Sequence, residues 1–140
     1  MGVDNFGSNR VECSLSGGDP VHVAVETAQG FGVTVGLGPL DSARLAIVVE
    51  EIVANLCEHG GCGDGTPGHL ALSQQGETIR IAVQDQGPPF DPRESQDADL
   101  PNPDRGGGVG LAMVRAWSES LDYCTADGRN LLTVLLRRGA

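Results

Sequence analysis

The chain has 140 residues, about the size of one compact domain, and needs no disulfides to bury a core. Its 19 acidic and 9 basic residues give a formal charge of −10, and every basic residue is arginine. The absence of lysine excludes a P-loop nucleotide site and Schiff-base chemistry, and the acidity leaves little charge for a nucleic-acid-binding face.

Residues 1–9 read as a disordered tail, and the remainder reads as a single domain without internal repeats. Met1 to Arg10 has no apolar stretch of the kind that directs export, and no run is long enough to span a membrane. The expectation is a cytoplasmic protein. Arg10 to Leu15 alternates as a short strand, and Ser16-Gly17-Gly18 turns the chain. Asp19 is then placed to cap a helix with Pro20 at its first position, running to about Val35. Val21, Val25, Ala28 and Val35 are its expected core residues, with Gly30 and Gly32 weakening it. The clearest helix runs from Asp41 to His59, capped by Asp41 or Ser42, with an apolar stripe of Leu45, Val48, Val49, Ile52 and Leu56.

Glycines at 60, 61 and 63 end that helix. His69 to Ser73 and Thr78 to Gln84 alternate around Gln75-Gly76-Glu77, which predicts a hairpin. Pro88 to Gly108 is dense in proline and glycine and reads as a long functional loop. A third helix is expected from Val109 to Leu121, then a second hairpin, Leu121 to Thr125 and Asn130 to Arg137, across Asp127-Gly128-Arg129. This order fits an α/β two-layer sandwich, with helices on one face of a mainly antiparallel sheet. Cys13, Cys57, Cys62 and Cys124 show no CxxC spacing and are expected as reduced thiols in or near the core. A zinc site of Cys57, His59, Cys62 and His69 is disfavoured, because Cys57 and His59 point about 160° apart on a helix.

Three segments can carry chemistry. Glu51 and Asn55, four apart on the second helix, share a face, whereas Glu50 lies about 140° from Asn55. A carboxylate can orient a hydroxyl, and an amide oxygen beside it can ligate Mg²⁺; a solvated polar face is the plainer alternative. Asp85-Gln86-Gly87-Pro88-Pro89-Phe90-Asp91-Pro92 follows a strand, where an aspartate can accept from an exocyclic amine and a glycine lets a flat ring approach; a simple turn would also account for it. Gly106-Gly107-Gly108-Val109-Gly110-Leu111 leads into a helix, whose exposed N–H groups can cradle phosphate. It follows no strand, so it is not a dinucleotide-binding fingerprint.

Together, Glu51-x-x-x-Asn55 with His59-Gly60, Asp85-x-Gly87 and Gly108-x-Gly110 resemble the three ATP-binding boxes of the Bergerat-fold, histidine-kinase-like ATPases. Leu45 to Asn55, Asp85 to Pro92 and Asp127 to Thr133 are most similar to the small single-domain branch, the anti-sigma factor serine/threonine kinases. The resemblance extends from about Asp19 to Arg137. It implies ATP and Mg²⁺ as cofactors, Glu51 as general base, Asn55 as Mg²⁺ ligand, Asp85 as acceptor from the adenine amine and Gly87 as the residue that lets the ring approach. Gly108 and Gly110, within the run Gly106, Gly107, Gly108, Val109, Gly110 and Leu111, would hold the phosphates. Arg105 would contact the γ-phosphate, and Thr133 would assist Asp85 through water. Three successive glycines and an acidic preceding loop (Asp97, Asp99, Asp104) depart from the family's usual pattern.

The function implied is a serine/threonine protein kinase that phosphorylates an anti-anti-sigma protein and sequesters a sigma factor, with homodimer formation left open and no direct contact to nucleic acid or membrane. The alternative is a non-catalytic ATP-binding module whose lid, Pro88 to Gly108, controls partner binding. The catalytic half of a histidine kinase fits less well, because the chain has three histidines and no separate dimerisation helix.

Overall fold

A computed structural model describes residues 10–63, 65–91, 93 and 108–139; of Gly108 and Val109 only the helical backbone is described. The elements run β1 (Arg10–Ser14), α1 (Pro20–Thr34), α2 (Pro39–Glu58), β2 (Gly68–Gln75), β3 (Thr78–Asp85), α3 (Gly108–Trp117), β4 (Ser120–Ala126) and β5 (Arg129–Arg137). The five strands form one antiparallel sheet in the order β1-β2-β3-β5-β4. Helices cover one face, giving the expected two-layer α/β sandwich. The expected disordered tail lies outside the described residues.

Strand alternation and helix stripes meet in one core. Leu70, Leu72, Ile79, Ile81, Val83, Val134 and Leu136 point from the sheet towards Leu45, Val48, Val49, Ile52 and Val53 of α2. The α1 stripe is Ala24, Ala28 and Phe31, so Phe31 anchors this helix, with Val21 and Val35 at the core's margin. Gly32 also belongs to the buried face. A Cβ there would lie 2.8 Å from Ser42 Oγ, so the glycine that weakens α1 as an isolated helix lets α2 approach it closely.

Helix ends depart from the expected bounds in two places. Asp19 caps α1 as read, accepting from the His22 N–H. At α2, however, Gly38 is the N-cap and Pro39 starts the helix, while Asp41 in its first turn accepts the Gly139 N–H at 3.0 Å. Helix α3 stops at Trp117, four residues short of the expected Leu121. Ser118 folds its hydroxyl back onto Val114 O, and the Glu119 N–H turns to Leu135 O in the sheet. Sheet pairing thus claims Ser120 and Leu121, which carry helical periodicity but sit opposite Leu135 and Val134.

Candidate functional site

The candidate site lies where the C-terminal end of β3, the second half of α2 and the start of α3 converge. Asp85 is the last residue of β3, and the alternation that buries Ile79, Ile81 and Val83 also turns Asp85 towards the helices, leaving it 5% exposed. A buried carboxylate needs donors. The Gly87 N–H and Asn130 Nδ2 both donate to its Oδ1, each at 2.8 Å, and Asn130 Nδ2 also reaches Gly87 O at 2.9 Å. Among the described residues no group donates to Oδ2, so one oxygen is fixed by the protein and the other is available to accept.

Asn130 was not among the candidates read from the sequence. It faces Asp85 directly in the β3–β5 register and is 3% exposed. The expected helper, Thr133, does not reach Asp85. It pairs with Ala82 and Asp122 on the opposite face of the sheet, because it lies an odd number of residues from Asn130 along the same strand. No local signal points to Asn130, because the pairing that sets the first residues of β5 against the last of β3 joins strands that are not consecutive in the chain.

Around Asp85 lies a cavity lined by Ile52, Asn55, Leu56, Val83 and Leu132 together with His59, Pro88, Phe90 and Tyr123. His59 caps the end of α2 and stacks on Phe90, with ring centroids 3.6 Å apart and planes 13° from parallel. The Phe90 N–H donates to the Tyr123 hydroxyl at 2.9 Å, and burial pushes that phenol above its ordinary pKa, so it stays protonated. Asp91 then grips Arg93 through both carboxylate oxygens, and the Arg93 guanidinium holds the Asp91 carboxyl below the usual aspartate range. Arg115 of α3 donates to Arg93 O. The start of the long loop is thereby pinned to β4 and α3; the rest of the expected lid lies outside the described residues.

Gly87 is required by the fold itself, whatever approaches it from the cavity. A Cβ there would meet Gly60 O and Gly61 Cα at 2.7 Å, so its bare Cα accommodates the turn after α2. On α2, Asn55 is buried between this cavity and the α2–α3 seam, Glu51 is half-buried one turn earlier, and Glu50 is exposed. The Glu51 carboxylate rests on the Cα of Gly110, where any Cβ would overlap it. Helix α3 begins at Gly108, so the N–H groups of Gly108, Val109, Gly110 and Leu111 have no partner within the helix and aim its positive end outward. Leu111 itself is buried in the seam. Arg105, Gly106 and Gly107 lie outside the described residues.

The cysteines correct another expectation. Cys57 and Cys62 are joined in a disulfide across the end of α2, while Cys13 and Cys124 are free thiols. His69 bonds Glu12 instead. A larger cleft beside Arg44, Trp117 and Arg138, at the other end of β3, contains none of the groups just described.

A narrow apolar slot with a carboxylate acceptor at its base suits a flat heterocycle bearing an amine. A carboxylate and an amide beside a helix N-terminus suit phosphate chemistry. Comparison with known proteins agrees: the profile of the histidine kinase-like ATPase domain matches residues 19–136. The chain belongs to that family. The match spans α1 to β5 and makes this histidine kinase-like ATPase domain an ATP-binding unit. No curated protein matches the sequence at a significant level.

Among solved structures, the RsbU and RsbW domains of Rv1364c from Mycobacterium tuberculosis superpose with a TM-score of 0.59 at 19% identity, covering 91% of this chain and 32% of that one. The present chain therefore spans about a third of that relative. The SiaB–SiaC complex from Pseudomonas aeruginosa superposes with a TM-score of 0.64 at 12% identity, covering 93% and 90% of the two chains. At these identities the likeness is one of fold. No helix among the described residues is long and apolar enough to cross a membrane.

Proposed function

We propose that this histidine kinase-like ATPase domain is a serine/threonine protein kinase that phosphorylates an anti-anti-sigma protein and sequesters a sigma factor. The observation that carries phosphoryl transfer is the Glu51 carboxylate, held against Gly110 at the start of α3 and one helical turn from buried Asn55. A module that merely bound ATP would need the slot at Asp85 and the helix N-terminus, but not a carboxylate at that junction.

In this reading the adenine enters the slot and gives its amine hydrogen to Asp85 Oδ2, while the N–H groups of Gly108, Val109 and Gly110 receive the phosphates. Asn55 would hold Mg²⁺, whose charge offsets that of the phosphates. The donor set suits this ion. Asn55 offers an amide oxygen one helical turn from the Glu51 carboxylate, and Mg²⁺ usually takes one or two protein oxygens together with phosphate and water. Glu51 accepts the hydrogen of the attacking serine or threonine hydroxyl and keeps that oxygen oriented as its proton leaves. The fold likeness to the RsbW-containing and SiaB–SiaC structures supports a role exerted through protein partners, and a formal charge of −10 favours a partner with a basic surface.

The test is phosphoryl transfer from labelled ATP to a candidate anti-anti-sigma protein. Glu51→Ala should keep ATP binding and lose about 10²–10⁴-fold in transfer, Glu50→Ala should leave transfer intact, and Asn55→Ala should lose both binding and transfer. Transfer by Glu51→Ala at the wild-type rate would refute the assignment of Glu51 as the general base. ATP and partner binding without transfer to any candidate would favour the binding module.

A further inference from the structure

The disulfide between Cys57 and Cys62 closes a ring around Glu58, His59, Gly60 and Gly61. Of these four residues His59 lines the nucleotide cavity, and Gly60 and Gly61 form the wall behind it, against Gly87. His59 stacks on Phe90, Gly60 O and Gly61 Cα bear on Gly87, and a Cβ on Gly61 would lie 3.0 Å from Asp85 Oδ1. We propose that Cys57 and Cys62 form a reversible thiol–disulfide site that sets how firmly this wall is held, and through it the affinity for nucleotide. The second half of this inference rests on the ATP-binding reading above.

The fold accommodates both oxidation states. In the disulfide form Cys62 Sγ lies 3.6 Å from Val53 O, so once reduced its thiol is placed to donate a hydrogen there. The backbone bonds Gly60 N–H to Cys57 O and Gly61 N–H to Leu56 O keep the turn near its place without the S–S bond. Reduction therefore loosens the turn and leaves the core intact. Glycines at 60 and 61 make that turn the segment with most freedom to gain, and Gly60 sits at φ +81°.

The chemistry is exchange with a low-molecular-weight disulfide such as glutathione disulfide. Cys57, less buried than Cys62, attacks it as thiolate and releases one thiol; Cys62 then displaces the second thiol and closes the ring. Two protein thiols are oxidised and one external disulfide is reduced to two thiols, so atoms and electrons balance. Holding the wall in its binding-competent arrangement raises apparent affinity by the inverse of the fraction otherwise populated.

The experiment uses the full chain carrying Cys13→Ser and Cys124→Ser, so that only the pair remains, oxidised with glutathione disulfide or reduced with dithiothreitol. Peptide mapping should find the 57–62 link in the first sample alone, and amide exchange at Gly60 and Gly61 should be slower there. Calorimetry with ATP and Mg²⁺ should show binding about 10-fold tighter in the oxidised form. Cys57→Ser together with Cys62→Ser in the same background should bind like the dithiol under both conditions. Formation of glutathione adducts without the internal link, or equal exchange in the two forms, would overturn the site. Equal ATP affinity in both forms would overturn its control of the cavity. If neither form bound ATP while the exchange difference persisted, the nucleotide reading would fall and the thiol–disulfide site would stand.

Discussion

Asn130 offers the sharpest test of how the base of the cavity is built. Asn130→Ala removes one donor from Asp85 Oδ1, at a buried position, and the described side-chain donor to Gly87 O, at a half-buried one. A hydrogen bond to a charged acceptor contributes about 1.5–3 kcal/mol and a neutral one about 0.5–1.5, so the loss should be ~2–4 kcal/mol, eased where water enters the vacated space. For a chain of 140 residues, unfolding entropy of about 0.3 kcal/mol per kelvin turns this into a Tm lower by roughly 7–14 °C.

Asn130→Asp preserves the shape and reverses the interaction. It sets a second carboxylate about 3 Å from that of Asp85, a repulsion of about 6 kcal/mol at an effective dielectric constant of 20 before either group takes up a proton. One of the pair must then titrate well above the ordinary aspartate range. A group protonated in the folded state and ionised in the unfolded one at neutral pH costs stability as pH rises. Thermal melts from pH 5 to pH 8 should show Asn130→Asp falling progressively below wild type, while Asn130→Ala keeps a nearly constant deficit. ATP affinity should fall in both variants. An Asn130→Ala melting point within 2 °C of wild type, or a pH-independent deficit for Asn130→Asp, would refute this account of Asp85.

Two further perturbations separate stability from chemistry. Gly87→Ala drives its Cβ into the backbone of Gly60 and Gly61, which has little room to yield, so it should cost ~1–3 kcal/mol by denaturant titration as well as weakening ATP binding. Gly110→Ala collides instead with the movable Glu51 side chain, so the fold should persist while phosphoryl transfer falls at least 10-fold. The Asp91–Arg93 clasp gives a pH signature: the pKa of Asp91 is lowered in the folded state, so its stabilisation is complete above the unfolded value near 4 and is lost as pH falls through the folded one. Acidification should therefore lower the amide-exchange protection factor at Phe90, and Asp91→Asn should do the same at neutral pH.

The layers and the order of elements along the chain follow from patterns that a sequence displays openly. Leu45, Val48, Val49 and Ile52 mark α2 by their spacing, and the glycine turns at 76 and 128 mark both hairpins. The 3.6- and 2-residue periods, with caps and breakers, are local properties. Errors fell where a tertiary contact outweighed a local preference. Helix α3 ends early because β5 offers Glu119 and Ser120 backbone partners, and α1 buries Phe31 because Gly32 lets α2 close over it.

The site divides along the same line. Glu51, Asn55 and Asp85 were legible because each needs only its own element's period to choose a face, and all three turn towards the α2–β3–α3 junction. Thr133 was misassigned because its role depends on register across two strands, where a shift of one residue moves a side chain to the other face of the sheet. The Cys57–Cys62 pair was missed because a five-residue separation says nothing about two thiols until the glycine-rich turn brings their Cα atoms to 4.6 Å. These two features share one location. The register sets Asn130 behind Asp85, and the turn sets Gly60 and Gly61 against Gly87, so the carboxylate that would recognise the base is braced from β5 on one side and from the end of α2 on the other. A change at either brace should reach ATP affinity through Asp85 without touching Glu51, which rests on α3. Nucleotide recognition and phosphoryl transfer can then be altered one at a time.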